Sequence, residues 1–80
     1  LSAYLTIAVD GGRTDKLRPG DLLGALTGDA GLPGDAVGKI DIFPTRSYVA
    51  IARNHADSAL KRLRDGKIKG RNFRVRPIGH

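Results

Sequence analysis

The sequence predicts an α+β fold in which four strands and two helices follow one another in the order β-α-β-β-α-β. Four short stretches alternate apolar and polar residues, as half-buried strands do, and two other stretches repeat their apolar residues at helical spacing. Turn-forming residues separate these stretches. The order is that of a split βαβ arrangement, for which we expect a four-stranded antiparallel sheet with two helices on one face.

The predicted strands comprise residues 3–9, 39–43, 46–52 and 72–78. In the third strand, Val49 and Ile51 point to one face of the sheet, whereas Tyr48 and Ala50 point to the other. The tight turn at residues 44–45 predicts that the second and third strands form an antiparallel hairpin. In the ferredoxin-like βαββαβ sandwich, the first and third strands lie at the centre and the fourth strand pairs with the first.

The first predicted helix begins at Pro19. Proline has no backbone N–H, and the N–H groups in the first turn of a helix have no partner within the helix, so proline costs nothing there. We expect the helix to end at Gly31 in the left-handed conformation. Its apolar face consists of Leu22, Leu23 and Leu26. The second predicted helix has Asn54 as its N-cap and ends at Gly66. Its apolar stripe consists of Ala56, Ala59, Leu60 and Leu63.

Three glycines, Gly20, Gly24 and Gly28, are spaced four apart along the first predicted helix. Because glycine has no side chain, we expect them to allow a close backbone approach where the helix packs, or to loosen its end. A phosphate held at the helix start by Lys16 and Arg18 is the alternative interpretation.

The composition favours a polyanionic partner. Fourteen Lys and Arg against eight Asp and Glu give the 80-residue chain a formal net charge of +6, which is a strong positive field for a single small domain. The acids all lie between Asp10 and Asp65, whereas residues 67–80 carry five cations and no acid. The absence of cysteine excludes disulfides and thiolate metal sites and fits a cytoplasmic protein. No apolar run approaches the length of a membrane span, so we expect no membrane partner.

The predicted topology brings Tyr4, Tyr48, Arg74 and Arg76 to the face of the sheet that the helices leave open. Aromatic residues on the two central strands beside arginines are typical of the RNA recognition motif, in which bases stack on the rings. Tyr48 as an ordinary strand former is the competing interpretation.

The third strand matches the longer signature of that motif only in part. Arg46 occupies its basic position and Tyr48 its first aromatic position, but Ser47 replaces the usual glycine and Ala50 the second aromatic residue. We therefore expect Tyr48 to be one contact in a site dominated by Arg and Lys. Ala50 also keeps open a protein-interaction version of the motif. Arg13, in the loop after the first strand, keeps open a small acylphosphatase-like enzyme that would hold phosphate.

A closer resemblance rests on four blocks of sequence, which are LRPGDLLGALTG at 17–28, GKIDI at 38–42, RSYVA at 46–50 and KIKGRNFR at 67–74. Together they resemble the C-terminal RNA-binding domain of bacterial DEAD-box ATP-dependent RNA helicases of the DbpA type, over residues 4–78. The resemblance implies an RNA-recognition-motif-like fold and a single domain, residues 1–80, that is the C-terminal part of a longer helicase.

The resemblance also implies a function. The domain would target its helicase to a hairpin of large-subunit (23S) ribosomal RNA during ribosome assembly. ATP and magnesium would bind the parent helicase core in the same chain, and this domain would be neither an enzyme nor the holder of a cofactor. The sequence contains neither the phosphate loop nor the Asp-Glu-Ala-Asp motif of such a core.

We expect the RNA contacts to come from these aromatic and basic side chains, with no residue assigned to catalysis or metal binding. The candidate RNA-binding residues are Tyr4, Lys16, Arg18, Lys39, Arg46, Tyr48, Arg53, Lys67, Lys69, Arg71, Arg74 and Arg76.

Overall fold

The computed structural model describes residues 3–28 and 30–78, and it contains the predicted strands and helices in the predicted order. The strands are β1 (Tyr4–Val9), β2 (Val37–Ile42), β3 (Ser47–Ala52) and β4 (Val75–Ile78). The helices are α1 (Pro19–Thr27) and α2 (Ala56–Asp65). The α+β class is therefore confirmed. None of the helices in the described part of the chain is long and apolar enough to cross a membrane.

The strands form one antiparallel sheet in the order β2-β3-β1-β4. The two central strands, β1 and β3, pair along their full length, so that Ile7 lies opposite Val49. The hairpin of β2 and β3 is present, and its register shifts between Val37 and Ile40. The last strand is shorter than predicted, because only Val75–Ile78 has strand geometry, and it pairs with the second half of β1.

One face of the sheet packs against both helices. Val9 and Ile51 are fully buried in the same core as Ile7 and Val49, and the helices add Leu22, Leu26, Ala59 and Leu63 to that core. Burying an aliphatic side chain of this size stabilises the folded state by about 1.5–3 kcal/mol. The opposite face, which the helices do not cover, is called the open face below.

The apolar stripe of α1 is narrower than predicted. Leu22 and Leu26 are fully buried, whereas Leu23 is 41% exposed. Residues four apart lie on the same side of a helix, and the next residue along is turned about 100° away from them. The nine-residue helix α1 therefore contacts the core through Leu22 and Leu26, with Ala25 packed against that core.

The end of α1 also differs from the prediction. The helix stops at Thr27 with Gly28 as an extended C-cap, and the left-handed residue that follows is Ala30 (φ 61°), not Gly31. The side chain of Arg62 on α2 supplies the reason. Its guanidinium donates hydrogen bonds to the carbonyl oxygens of Ala25 and Gly28, which satisfies acceptors that a left-handed glycine cap would otherwise serve.

The start of α2 corrects a second helix boundary. Asn54 is not the N-cap, since it lies within a 3₁₀ turn, Arg53–His55, that leads directly into α2, and His55 takes the capping position without a side-chain hydrogen bond. Asn54 therefore lies inside the turn, one residue before the position that caps α2. Gly66 ends α2 as predicted.

The glycines of α1 do not make the close backbone contact that the sequence predicts. A Cβ placed on Gly20 or Gly24 meets no atom within 4 Å, because both residues border an open groove of about 1000 Å³ between the helices. The close approaches occur in the loop after β1. A Cβ on Gly12 would lie 2.0 Å from the carbonyl oxygen of Phe43, and one on Gly11 would lie 2.4 Å from the ring of Phe73.

These contrasting environments predict opposite effects for the same substitution. Gly24→Ala should stabilise the domain by about 0.5–1 kcal/mol, because alanine is the better helix former and its methyl group has room. Gly12→Ala should destabilise it by more than about 2 kcal/mol, because the methyl group would overlap backbone atoms that cannot move aside. The free energy of unfolding, measured in urea, checks both values. Destabilisation by Gly24→Ala would show that α1 packs through its glycines after all.

Candidate nucleic-acid interface

The loop after β1 is fastened to the connection between β2 and β3. The backbone N–H of Arg13 donates to the carbonyl oxygen of Phe43 at 2.8 Å, and that of Thr14 donates to Pro44 at 2.9 Å. The hydroxyl group of Thr14 also donates to the Pro44 oxygen, at 2.8 Å. Gly12 leaves no space for a side chain at this contact, so the two loops pack backbone against backbone.

Ser47 makes the second connection between these loops. Its side chain is fully buried, and the hydroxyl group donates to the carbonyl oxygen of Gly11 at 2.7 Å. Because successive strand residues alternate between faces, an inward Ser47 turns Arg46 and Tyr48 toward the open face. The serine at this position is therefore the residue that anchors the start of β3.

Arg46, Asp10 and Arg74 form a row across three neighbouring strands, here called the arginine row. The pairing of Val9 with both Ser47 and Val75 places Asp10 between the two arginines. The Nε atom of Arg46 lies 3.6 Å from Oδ1 of Asp10, and both side chains are about half exposed, at 45% and 56%. A carboxylate with an arginine on either side thus lies at the end of the sheet.

A second row lies beside it and consists of Tyr48, Ala8 and Arg76, here called the tyrosine row. Phe43 packs against Tyr48 with 5.8 Å between the ring centroids and 73° between the ring planes. Phe43 is itself 49% exposed. A base stacked on one of these rings would have the other ring at its edge, so the pair offers an aromatic corner.

A concavity of about 520 Å³ begins at these rows and continues around the start of β4. Its charged lining residues are Asp10, Arg46, Arg64, Arg74 and Arg76. The ring of Phe73, at the base of β4, contributes an apolar wall. Four arginines against one carboxylate make this concavity more cationic than the larger groove between the helices, which has two acids to its four cations.

Tyr4 belongs to the open face as predicted but lies far from Tyr48. It is opposite Ala52, four residues along β1 from Ala8, which corresponds to about 13 Å at ~3.3 Å per residue. Its ring lies close to Gly38, where a Cβ would be 3.4 Å from the ring atom Cε1. The two tyrosines therefore cannot hold the same base.

The turn between α2 and β4 is a tight hairpin. Ile68 and Arg71 exchange both backbone hydrogen bonds, at 2.8 and 3.0 Å, and the intervening Lys69 and Gly70 are left-handed, with φ values of 53° and 75°. Two left-handed central residues define a type I′ turn, so Gly70 serves the geometry of the turn. Ile68 is fully buried and anchors the turn to the core.

Two candidate cations of this turn are engaged with acids of the α1 entrance. The Nζ atom of Lys69 donates to the carbonyl oxygen of Lys16 at 2.8 Å and lies 3.8 Å from Asp21. Arg71 lies 3.3 Å from Asp15, and its guanidinium carbon is 5.2 Å from the ring centroid of Phe73. The predicted cations Lys16, Arg18, Lys69 and Arg71 thus lie around the start of α1, and Lys67 lines the groove between the helices.

The last two candidates, Lys39 and Arg53, line neither the concavity nor the groove between the helices. Lys39 is on the edge strand β2, where its Nζ atom lies 3.8 Å from Asp41. Arg53 follows β3, and its backbone N–H donates to Ala3 at 3.0 Å, next to the start of β1. The twelve candidates therefore do not form one site. Arg46, Arg74 and Arg76 line the concavity, and Tyr48 lies beside them on the open face.

Sequence reasoning missed two residues of this surface. Phe43 follows Ile40 and Ile42 in an alternating strand, so the alternation alone assigns it to the open face. Arg64 is in the last turn of α2 and reaches the concavity only because the helix end packs beside β4. No local sequence pattern indicates the position of Arg64.

Comparisons with known proteins identify the family of this chain. Residues 6–77 match the protein family described as the DbpA RNA binding domain. The chain is also similar to the ATP-dependent RNA helicase DbpA of Escherichia coli (strain K12), with 54% identity over 71 residues, which is 89% of this chain. The chain belongs to the DbpA RNA-binding domain family. It spans 16% of the length of the Escherichia coli relative.

Membership in the DbpA RNA-binding domain family confirms that this chain is a binding domain and not an enzyme. The alternative of an acylphosphatase-like hydrolase depends on Arg13, whose guanidinium donates to the carbonyl oxygen of Ile42 at 3.1 Å. Arg13 therefore fastens its loop to the end of β2.

Removal of the Ser47 hydroxyl group should destabilise the domain. We expect Ser47→Ala to lower the free energy of unfolding by about 1–3 kcal/mol, because the buried carbonyl group of Gly11 would lose its partner. Thr45→Ala, which removes an exposed hydroxyl group two residues away, should change it by less than about 0.5 kcal/mol. Urea denaturation of both variants checks the prediction, and equal values for the two would contradict it.

Proposed function

We propose that this domain binds RNA through the open face of a ferredoxin-like, RNA-recognition-motif-like sheet. The observation that carries the proposal is the position of the aromatic corner, Phe43 and Tyr48, directly beside the arginine row. An unpaired base stacks on an aromatic ring whatever its identity, and arginines bind the phosphates that flank it. The strand order β2-β3-β1-β4 supports the proposed fold, since it puts β1 and β3, which carry Tyr4 and Tyr48, at the centre.

We expect the binding free energy to come partly from base stacking and partly from the neutralisation of phosphate charges. A base stacked on Tyr48 contributes about 1–3 kcal/mol of binding free energy. Each arginine that neutralises a phosphate releases condensed counterions, so the affinity falls steeply with salt concentration. Ala50 contributes no ring, and Tyr4 lies at the other end of the sheet, so one stacked base and several phosphate contacts account for the binding.

We further propose that the chain, residues 1–80, is the C-terminal domain of a longer DEAD-box RNA helicase. The family match and the similarity to a helicase of Escherichia coli support this proposal. The domain itself would need no cofactor, whereas the helicase core in the same chain would bind ATP and magnesium. In the cytoplasm, the domain would bring that core to a hairpin of 23S ribosomal RNA during ribosome assembly.

The open-face proposal predicts an order of effects in RNA binding. With a fluorescein-labelled hairpin from the peptidyl-transferase region of 23S ribosomal RNA, Tyr48→Ala should weaken binding about 5- to 150-fold, as follows from the loss of one stacked base. Arg46→Ala should weaken binding and reduce the slope of log affinity against log salt by about 1, because it removes one phosphate contact. Fluorescence anisotropy at several salt concentrations measures both quantities.

Lys61→Ala is the matched control, since Lys61 is an exposed cation on α2 at the groove between the helices. It should change the affinity by less than Arg46→Ala does at the same salt concentration. Equal losses for Tyr48→Ala, Arg46→Ala and Lys61→Ala would mean that bulk charge drives the binding and that the open face is no site. Unchanged binding in both open-face variants, with a large loss for Lys61→Ala, would assign the RNA to the helical side.

A further inference from the structure

The open face of the sheet has a charged end, formed by the arginine row and the tyrosine row, and a second end that carries no charge. At the second end, Thr6 lies opposite Ala50 on β3 and Ile78 on β4. Tyr4 lies opposite Ala52. This surface is here called the uncharged end, and its six residues are Tyr4, Thr6, Gly38, Ala50, Ala52 and Ile78.

The ring of Tyr4 lies across the uncharged end. Tyr4 belongs to β1, but its ring atom Cε1 is close to Gly38 on β2, where a Cβ would be 3.4 Å away. The strand between these two is β3, and its residues here, Ala50 and Ala52, have only methyl groups under the ring. The side chain of Tyr4 is 43% exposed. The ring and the methyl groups thus offer a flat, largely apolar contact surface.

A phosphate backbone does not suit this end of the sheet. Phosphates bind to cations, and none of the six residues carries a positive charge. At the border, Lys39 lies 3.8 Å from Asp41. Arg53 belongs to the 3₁₀ turn through which the chain leaves the sheet for α2. An apolar or aromatic side chain of a polypeptide suits the uncharged end better, because its burial needs no partner of opposite charge.

The small size of the uncharged end favours an occupant on the same chain. A stable interface with a separate protein involves about 20–30 residues on each side, whereas this surface has six. A segment of the same chain needs much less contact, because a short flexible linker gives it an effective concentration in the millimolar range.

Chain that precedes residue 1 arrives beside this surface. The present chain spans 16% of the length of the Escherichia coli relative, which fits the longer helicase proposed above. The carbonyl oxygen of Ala3 accepts a hydrogen bond from the backbone N–H of Arg53 at 3.0 Å, next to the start of β1. Since β3 ends at Ala52, opposite Tyr4, it offers no further strand on that side for the preceding chain to pair with. A turn over the open face would bring that chain onto the uncharged end.

We propose that the segment directly preceding residue 1 in the longer protein packs an apolar or aromatic side chain against Tyr4 on the uncharged end. The inference rests on the proposal that this domain is part of a longer helicase, and it adds an intramolecular contact to it. Tyr4 then contacts protein and not RNA. The charged end of the open face stays available to RNA.

The alanine methyl groups of the open face test this contact in the full-length protein. With ¹³C-labelled alanine methyl groups, NMR spectra of the full-length protein are compared with those of the 80-residue domain. The Ala50 and Ala52 signals should differ between the two proteins, because the segment changes the surroundings of these methyl groups. Ala8 lies on the same face in the tyrosine row and is the internal control, whose signal should be the same in both.

A protease site inserted directly before residue 1 of the full-length protein separates a tethered segment from a partner that binds independently. After cleavage, the Ala50 and Ala52 signals should return to their positions in the 80-residue domain, because the high effective concentration is lost. Signals that stay shifted after cleavage would show a partner that needs no tether, which would overturn the proposal.

A charge on the uncharged end should displace the segment. In Ala52→Asp, the Ala50 signal of the full-length protein should coincide with that of the 80-residue domain carrying the same substitution. Ser58→Asp is the matched control, since it adds the same charge at an exposed position on α2 and should leave the difference at Ala50 as it is in the wild-type protein. Thermal unfolding monitored by circular dichroism verifies that both variants are folded.

Two further outcomes would overturn the inference and leave RNA binding intact. One is identical Ala50 and Ala52 signals in the wild-type full-length protein and the domain. The other is a Tyr4→Ala variant of the domain that loses as much RNA affinity as Tyr48→Ala, since Tyr4 would then stack a base. Shifted methyl signals in a protein whose domain does not bind the RNA hairpin would reject only the RNA site. A natural protein with no chain before residue 1 would remove both the proposed helicase and the inference.

Discussion

The contact between the loop after β1 and the β2–β3 connection determines the shape of the candidate site. At Gly12 the backbone runs so close to Phe43 that a Cβ would lie 2.0 Å from its carbonyl oxygen. Around this contact, the N–H of Gly12 donates to Asp15 at 3.0 Å and the hydroxyl of Ser47 donates to Gly11 at 2.7 Å. These hydrogen bonds and the close packing at Gly12 position the side chains that the two loops carry.

The acids of the domain are distributed in a way that serves both folding and binding. Asp15 and Asp21 accept backbone N–H groups at the start of the 3₁₀ turn and of α1, and they also pair with Arg71 and Lys69. Exposed ion pairs of this kind stabilise a protein by less than about 1 kcal/mol. In this domain the two pairs connect the turn before β4 to the start of α1. Asp10 differs because it lies among arginines whose charge it does not balance.

The sequence predicts the sheet well because strand alternation depends on a local pattern. Val49 and Ile51 face the core and Tyr48 faces away from them, as the two-residue period requires. The same rule assigns Phe43 to the open face, although its contact with Tyr48 depends on the geometry of the hairpin. The end of α1 was not predictable in this way, because Arg62, which is distant in the sequence, satisfies its carbonyl groups.

The glycines also show that a local sequence pattern does not predict a tertiary contact. Gly12 and Gly24 look alike in the sequence, but one lies against backbone and the other borders an open groove. Only the tertiary fold distinguishes them, since the neighbour that excludes a side chain at Gly12 comes from residue 43. The cations from Lys67 onward also look alike in the sequence. In the fold, Arg74 and Arg76 line the concavity, whereas Lys69 and Arg71 pair with acids.

The central claim is that RNA occupies the open face at Tyr48 and the arginine row. Titration of the ¹⁵N-labelled domain with the 23S ribosomal RNA hairpin, followed residue by residue by NMR, tests it most directly. The account predicts that the largest shifts of amide signals occur at Asp10, Arg46 and Tyr48 and along the first half of β4. Shifts confined to α1, α2 and the groove between them would contradict it.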